Sequence, residues 1–579
     1  MIRKLFVYLR EYRGWALLAP GLVILEVICE ILMPRLMASI VDVGIAHDDI
    51  AHIVKTGGQM LVLAMIGMAC GVGAAKAASV AAQGFGANLR QAMFEKIQDF
   101  SFADIDRFSS ASLITRTTND VNNIQTMAAM GMRIVTRAPV MLVAALLMAF
   151  SINISLALIL LVVIPVMVLA IGIIMRICGK LFDAMQKKID NLNNTIQEDL
   201  VAIRVVKAFV REDHERAKFR RANDELTQAG ITVAMRITMI MPVMTLCLNA
   251  ATIAVLYRGG IQVMDGTMLY GDLSAFLNYI FQILISVMMV AVSLLQLSRA
   301  QASAGRIVEV LETRPDIQDS EKSKTVSLPA PKGKVEFRDV SFRYRASGSG
   351  DDVLKDIDLC IQPGQFAAIV GGTGTGKSSL VNLIPRFYDV TGGEVLLDGV
   401  NVRDYPLEEL RGRIGMVLQN NVLFSGTIRE NLLWGKADAT QEELVRAAKN
   451  AQAYDFIMSF PEGFETKLDQ GGVNVSGGQK QRLCIARALL KKPAVLIMDD
   501  STSAVDSATE AAIRESFHTD LKDTTIIIIA QRVSSVRYAD QILVLDDGVI
   551  VDHGTHEELM ERCGVYQEIC HSQQEGVSG

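Results

Sequence analysis

The chain has no CxxC pair and no cysteine–histidine spacing of the kind that holds a metal ion, and several of its eight cysteines fall inside apolar stretches. They read as reduced packing residues, which sets disulfide scaffolds and structural zinc aside. A concentrated basic stripe is also missing, and the net charge is −6, so no nucleic-acid partner is expected. Charge is scarce altogether: 21% of the residues carry one and 50% are hydrophobic, below the charged share of an ordinary soluble domain. The scarcity is uneven. Up to about residue 300 the chain runs through long apolar stretches, and beyond that it reads as ordinary soluble α/β sequence. At 579 residues it is too long for one core, so a membrane half followed by a soluble half is the simplest organisation. The opening MIRKLFVYLREYRG is amphipathic, and no small-residue cleavage site follows it. A retained interfacial helix fits that pattern better than a signal peptide.

A helix that crosses a bilayer takes roughly 20 mostly apolar residues. Six stretches qualify, at about 15–41, 59–84, 131–151, 155–175, 237–257 and 272–297. The third and fourth form one run nicked only by SINIS at 151–155, hence a tight hairpin. The segments before residue 15, from 90 to 137 and from 176 to 236 hold 22 Lys and Arg, while the other three loops hold only Lys55 and Arg258. The positive-inside rule therefore puts both termini and the soluble half in the cytoplasm, with the chain multi-pass in an inner or plasma membrane. The two long cytoplasmic connections are rich in helix formers, as in NLNNTIQEDLVAIRVVKAF, and predict helical extensions of the spans. The tip of the first, SSASLITRTTND at 109–120, is the expected docking element. Residues 1–314 thus form the transmembrane domain, the polar, proline-containing stretch 315–334 a linker, and 335–579 the soluble domain.

Several polar residues interrupt the spans. Glu26 and Glu30 lie four apart, on one face of the first helix, and Lys76 lies in the second. Ionised groups at membrane depth face a partner or a cavity. Two readings stay open: an ion pair from glutamate to Lys76, or an acidic patch in a translocation cavity that favours cationic amphiphiles.

In the soluble half the strand-like FAAIV feeds Gly371, Gly372, Thr373, Gly374, Thr375, Gly376, Lys377, Ser378 and Ser379. This is GxxxxGK[ST] in strand–loop–helix context, the pattern of a phosphate-binding loop. Its backbone amides curl around phosphate oxygens, Lys377 adds a point charge at the β/γ position, and Ser378 offers a hydroxyl to Mg²⁺. The apolar VLIMD ends in Asp499, an acid placed to hold the Mg²⁺ shell. Asp500 follows, where a base would orient the attacking water.

With those motifs in order, Ser476, Gly477, Gly478 and Gln479 between loop and acid resemble the signature of ABC ATPases. Tyr344 in SFRY looks like the aromatic that stacks adenine, Gln419 like the Q-loop glutamine, and Asp506 like the D-loop aspartate. Six spans ahead of one such domain resemble the exporter-type ABC half-transporters over nearly the full chain. The resemblance implies an α-helical six-span membrane domain followed by an α/β P-loop nucleotide-binding domain. It implies ATP and Mg²⁺ as cofactors, with Gln419 joining Ser378 and Asp499 around the metal. It further implies head-to-tail pairing with a second ABC half-transporter, each ATP lying between one subunit's P-loop and the other's SGGQ.

The sequence departs from the family where hydrolysis is carried out. Asp500 stands for a glutamate, which retracts the carboxylate by about 1.5 Å. Gln531 stands at the switch-histidine position, and Gln470 in TKLDQGG replaces an acid. Asp500 and Gln531 together point to a degenerate site in a heterodimer, resembling the asymmetric bacterial multidrug exporters; a slow but working homodimer is the alternative. The expected activity is ATP-dependent export of small amphipathic compounds, with hydrolysis mainly at the site completed by the partner. Export or import of lipid, peptide or siderophore is the nearest alternative. A nucleotide-sensing membrane regulator or channel is the more distant one, weakened because no further domain is read before residue 15 or after 570.

Overall fold

The computed structural model describes residues 2–320, 323, 328–344, 352–500, 506–530 and 532–578, with the backbone alone described at 2, 291, 292, 294–299, 507, 534 and 574–578. The chain divides into two compact units. One comprises Met1–Ile97 with Ala111–Thr313, the other Gln98–Ser110 with Arg314–Gly579.

Among the described residues, six helices are long and apolar enough to cross a membrane, all in the first unit or running from it: Arg3–Ile45, Ile50–Gln98, Ser110–Ile152, Ile154–Val201, Glu212–Met264 and Tyr270–Val290. The second and fourth run 49 and 48 residues. At 1.5 Å per residue each exceeds 70 Å, over twice the roughly 30 Å of a hydrocarbon core, so the surplus forms the helical extensions predicted for the long connections. The tight hairpin predicted at SINIS is present. Asn153 alone leaves helical geometry between the third and fourth helices, its Oδ1 accepts from the Leu156 amide at 3.1 Å, and its Nδ2 donates to Gln262 Oε1 at 2.6 Å. Small residues let the helices approach: a Cβ on Gly84 would lie 2.3 Å from the Tyr12 ring. Buried Tyr279 donates its hydroxyl to the Ile31 carbonyl at 2.8 Å, joining the last helix to the first. Below the spans, buried Asp120 accepts from Ser303 Oγ at 2.8 Å and from Arg306 Nε at 2.7 Å, and Arg116 pairs with Glu309.

In the second unit the strands, in chain order, are β1 Val335–Phe342, β2 Leu354–Ile361, β3 Phe366–Val370, β4 Gly392–Leu397, β5 Val400–Asn401, β6 Ile414–Val417, β7 Gly426–Thr427, β8 Lys467–Leu468, β9 Val495–Asp499, β10 Thr525–Ile529, β11 Gln541–Asp546 and β12 Val549–Gly554. A sheet of order β12-β11-β3-β10-β9-β6, parallel except for the β11–β12 hairpin, forms the centre. Its inner strands are buried on both faces, so they read as continuous apolar runs such as FAAIV and TIIII. The antiparallel sheet β2-β1-β4-β5 packs over β3, with Val335, Phe337 and Leu397 in one core beside Ile369 and Ile529. The carboxyl ends of β3, β9 and β10 come out together, the place where open α/β sheets bind ligands.

The segment 98–110 packs with this second unit, and it corrects the expected docking element. Helix Phe102–Phe108, opened by a capping box between Ser101 and Asp104, makes the contact. Phe102 stacks on Phe387 with ring centroids 4.4 Å apart, and Tyr388 donates its hydroxyl to Asp106 at 2.8 Å. Residues 111–120 instead start the ascending third helix, where Arg116 and Asp120 face the last helix through Glu309 and Arg306.

Candidate functional site

Strand β3 ends in the core at Val370, and the chain turns through six residues into helix Lys377–Leu383. A Cβ on Gly371 would lie 2.1 Å from the Leu545 carbonyl oxygen, and Gly376 holds φ 95° at the helix N-cap. Only glycine meets both demands. Lys377 Nζ folds back over the loop, donating to the Gly371 carbonyl at 2.9 Å and the Gly372 carbonyl at 2.5 Å. Burial pushes its pKa down, while Asp499 and Asp500 pull it back up.

Ser378 Oγ donates to Asp499 Oδ1 at 3.0 Å, so the end of β9 meets the P-loop. Burial raises the Asp499 pKa, the Ser378 bond lowers it and the neighbouring Asp500 raises it again. Asp500 ties β9 to β10 through its amide, which donates to the Ile529 carbonyl at 3.0 Å. Its backbone sits at φ 48°, and its carboxylate accepts a hydrogen bond from Gln419 that opposes the upward pull of burial on its pKa. The donor set suits Mg²⁺: it prefers hard oxygens and keeps most of its shell for water and phosphate, so one hydroxyl, one carboxylate and the Gln419 amide are enough. Among the described residues no group of three or more His, Cys, Asp or Glu could hold a metal by itself.

Tyr344 closes the far side. Its hydroxyl is 2.9 Å from Ser379 Oγ, and its ring stands edge-on to Phe342 and Tyr388, with centroids 4.8 and 5.1 Å away. The residues from Gly371 to Ser379, Tyr344, Gln419, Asp499 and Asp500 all line one cavity of about 760 Å³. The sequence assigned each of these; it did not assign the further wall, made by Glu568, Ile569, Ser572 and Gln573 of the C-terminal helix.

The signature residues lie elsewhere. Ser476 caps helix Gly477–Leu490, its amide donating to Gln479 Oε1 at 2.9 Å and its Oγ accepting from the Gln479 amide at 3.3 Å. None of Ser476, Gly477, Gly478 and Gln479 lines the cavity, and Ser476 and Gly477 are exposed. Asp506 is exposed too and caps helix Ser507–Asp520, accepting from the Thr509 amide at 2.9 Å. Gln531 lies outside the described residues.

A second cavity, of about 580 Å³, lies in the first unit among the first three helices, with Glu26, Glu30, Met33, Met68, Arg133 and Arg137 in its wall. The expected partner of the glutamates is corrected here. Arg137 of the third helix, not Lys76, bridges both, with its two terminal nitrogens 2.5 Å from Glu26 Oε1 and Glu30 Oε2. Lys76 does not line this cavity; it is exposed, one residue past Ala75, which does. That single step turns it about 100° around the helix. Gly71 gives Glu26 its room, since a Cβ there would sit 3.2 Å from Glu26 Oε1.

Two family models match the chain: the ABC transporter transmembrane region over residues 17–288 and the ABC transporter model over 354–503. YfiB of Bacillus subtilis, an uncharacterized ABC transporter ATP-binding protein, is 39% identical over 99% of this chain and 98% of its own. YgaD of the same organism, for which multidrug export as an ATP-binding/permease protein is a proposed role, is 35% identical over 83% of this chain and 82% of its own. A fatty acid ABC transporter ATP-binding/permease protein of Mycobacterium tuberculosis is 35% identical over 83% and 75%. Among solved structures, a bacterial Atm1-family ABC exporter with ATP bound has the same fold, with a TM-score of 0.81, 24% identity and 98% of both chains covered.

Proposed function

Because the chain belongs to the ABC transporter family, we propose that it is one half of an ATP-driven exporter of small amphipathic compounds, paired with a different half-transporter. It is a multipass membrane protein with an ABC ATPase domain. The nucleotide site in our reading works as follows. Tyr344 stacks adenine, the P-loop amides and Lys377 hold the β- and γ-phosphates, and Ser378, Asp499 and Gln419 hold Mg²⁺. When bound, the metal neutralises charge on the β/γ oxygens. The partner's SGGQ closes over this ATP, while Ser476, Gly477, Gly478 and Gln479 close over the partner's. Binding of two ATP draws the nucleotide domains together and switches the membrane cavity; hydrolysis at the competent site resets it.

The observation that carries the asymmetry is Asp500 standing beside an otherwise assembled Lys377–Ser378–Asp499 centre. Such a chain retains ATP but orients the attacking water poorly. A positioned base contributes about 10²–10⁴ in rate. In the assembled pair, Ser476→Ala should therefore depress steady-state ATPase far more than Asp500→Asn. If Asp500→Asn stops turnover and Ser476→Ala does not, the assignment of the two sites is reversed.

Glu26 and Glu30 support the cargo class, because they set two carboxylates in the wall of the membrane cavity, where an incoming cation competes with Arg137 for them. A second reading has its own observation: Arg133 and Arg137 share that wall, which suits an anionic amphiphile such as a fatty acid, the cargo of one relative. Vesicles holding the pair should take up a cationic dye with ATP, and Glu30→Gln should reduce uptake. Uptake of a labelled fatty acid instead, insensitive to Glu30→Gln, would establish the second reading.

A further inference from the structure

The C-terminal helix Gly564–Ser578 is not a passive tail on the sheet. Tyr566 and Cys570 on one face are buried in the core beside Val536 and Ala539, and the Tyr566 hydroxyl is 2.9 Å from His556 Nδ1. With that face fixed, the adjoining face is aimed by helical geometry, and it brings Glu568, Ile569, Ser572 and Gln573 into the wall of the nucleotide cavity. From there Gln573 reaches the main chain: its Oε1 accepts from the Val533 amide at 2.8 Å.

The position of Val533 matters. Strand β10 pairs with β9 so that Ile529 stands opposite Asp499, and the Asp500 amide donates to the Ile529 carbonyl. The chain that leaves β10 therefore emerges beside the two acids at the γ-phosphate end of the cavity. The single turn Val533–Ser535 follows in the sequence. That turn cannot satisfy the amides at its own start. Gln573 satisfies one of them.

We propose that the C-terminal helix is a working wall of this chain's nucleotide site, and that Gln573 is a positioning residue that fixes this wall against the turn Val533–Ser535 beyond the end of β10. Gln573 touches no reacting atom in this arrangement. It sets how long the site keeps a nucleoside triphosphate, a property that matters most in a site that hydrolyses slowly. The inference rests on this chain's own P-loop binding ATP.

The test uses the full-length chain, assembled with its partner, and fluorescent N-methylanthraniloyl ATP and ADP. Unlabelled nucleotide chases the label in a stopped-flow experiment. The partner's own P-loop lysine is replaced in every sample so that only this chain's site is read. The unsubstituted protein must first bind the triphosphate; if it does not, the reading of this site as an ATP site fails, and not the role of Gln573. Gln573→Met keeps the length of the side chain and removes the acceptor. It should speed release of the triphosphate roughly three- to tenfold, the size of one net hydrogen bond, and leave release of the diphosphate within twofold. Equal acceleration of both nucleotides would make the residue a structural support of the helix only. No change in either would remove the positioning role altogether.

Discussion

Asp500 carries two constraints at one position. Its φ of 48° is left-handed, a conformation that aspartate adopts more readily than glutamate because its short side chain bonds locally. Its carboxylate also ends one methylene short of a glutamate's. Asp500→Glu should therefore restore reach against a backbone cost of about 1–2 kcal/mol. With Ser476→Ala in the same chain to silence the partner's ATP, single-turnover rapid quench should show hydrolysis at this chain's own site rising by roughly tenfold or more, within the range of a positioned base. An unchanged rate would mean that reach is not what limits the site. The P-loop, Ser378 and Asp499 were legible in the sequence because their chemistry is written in short, contiguous spacings. Glu26 and Glu30 were legible as one face for the same reason. Their partner was not: whether Lys76 or Arg137 meets them depends on the rotation of one helix past another, and a single-residue step on the second helix decides it. Arg137 counted in the sequence only as a flanking charge.

Helix Phe102–Phe108 shows the same limit for elements. The sequence predicted a docking tip at 109–120 in the first long connection, and the structure instead packs the helix seven residues earlier, Phe102–Phe108, on the second unit. The polar stretch 109–120 drew attention through composition, whereas the Ser101–Asp104 capping box and the two flanking phenylalanines mark the helix that packs. That helix meets Tyr388, which stands edge-on to Tyr344, so it adjoins the Tyr344 end of the cavity. Tyr388→Phe removes the 2.8 Å bond to Asp106 while keeping the ring. It should leave nucleotide binding intact and lower the amount of dye moved per ATP hydrolysed severalfold. Phe102→Ala loses the stacked ring, worth about 0.5–1.5 kcal/mol beyond its buried area, and should uncouple the pair further. Transport and hydrolysis falling in equal proportion in both variants would show that this contact supports folding rather than coupling.

For the whole molecule the decisive feature is how much apolar surface one chain leaves uncovered. At the tip of the second cytoplasmic connection, Val201, Phe209 and Val210 are 82%, 72% and 79% exposed. Fully burying one such side chain is worth about 1.5–3 kcal/mol, so three of them exposed between residues 201 and 210 mark a contact still to be made. The exposed Ser476 and Asp506 make the same point at the nucleotide domain. Their helix caps are complete, yet neither faces the cavity that holds this chain's own P-loop. Both observations call for a second subunit, and under the proposed function Asp500 bears on which kind. Two copies of this chain would pair two weak bases, whereas a partner carrying glutamate and histidine at the matching positions supplies one strong site for Ser476 to complete. The chain purified alone should therefore show little ATPase. Co-expression with such a partner should raise turnover per complex at least tenfold. Phe209→Asp at the tip should abolish that gain without impairing N-methylanthraniloyl ATP binding to this chain's P-loop. Brisk hydrolysis by the chain alone would instead establish the homodimer and assign the chemistry to Asp500 itself.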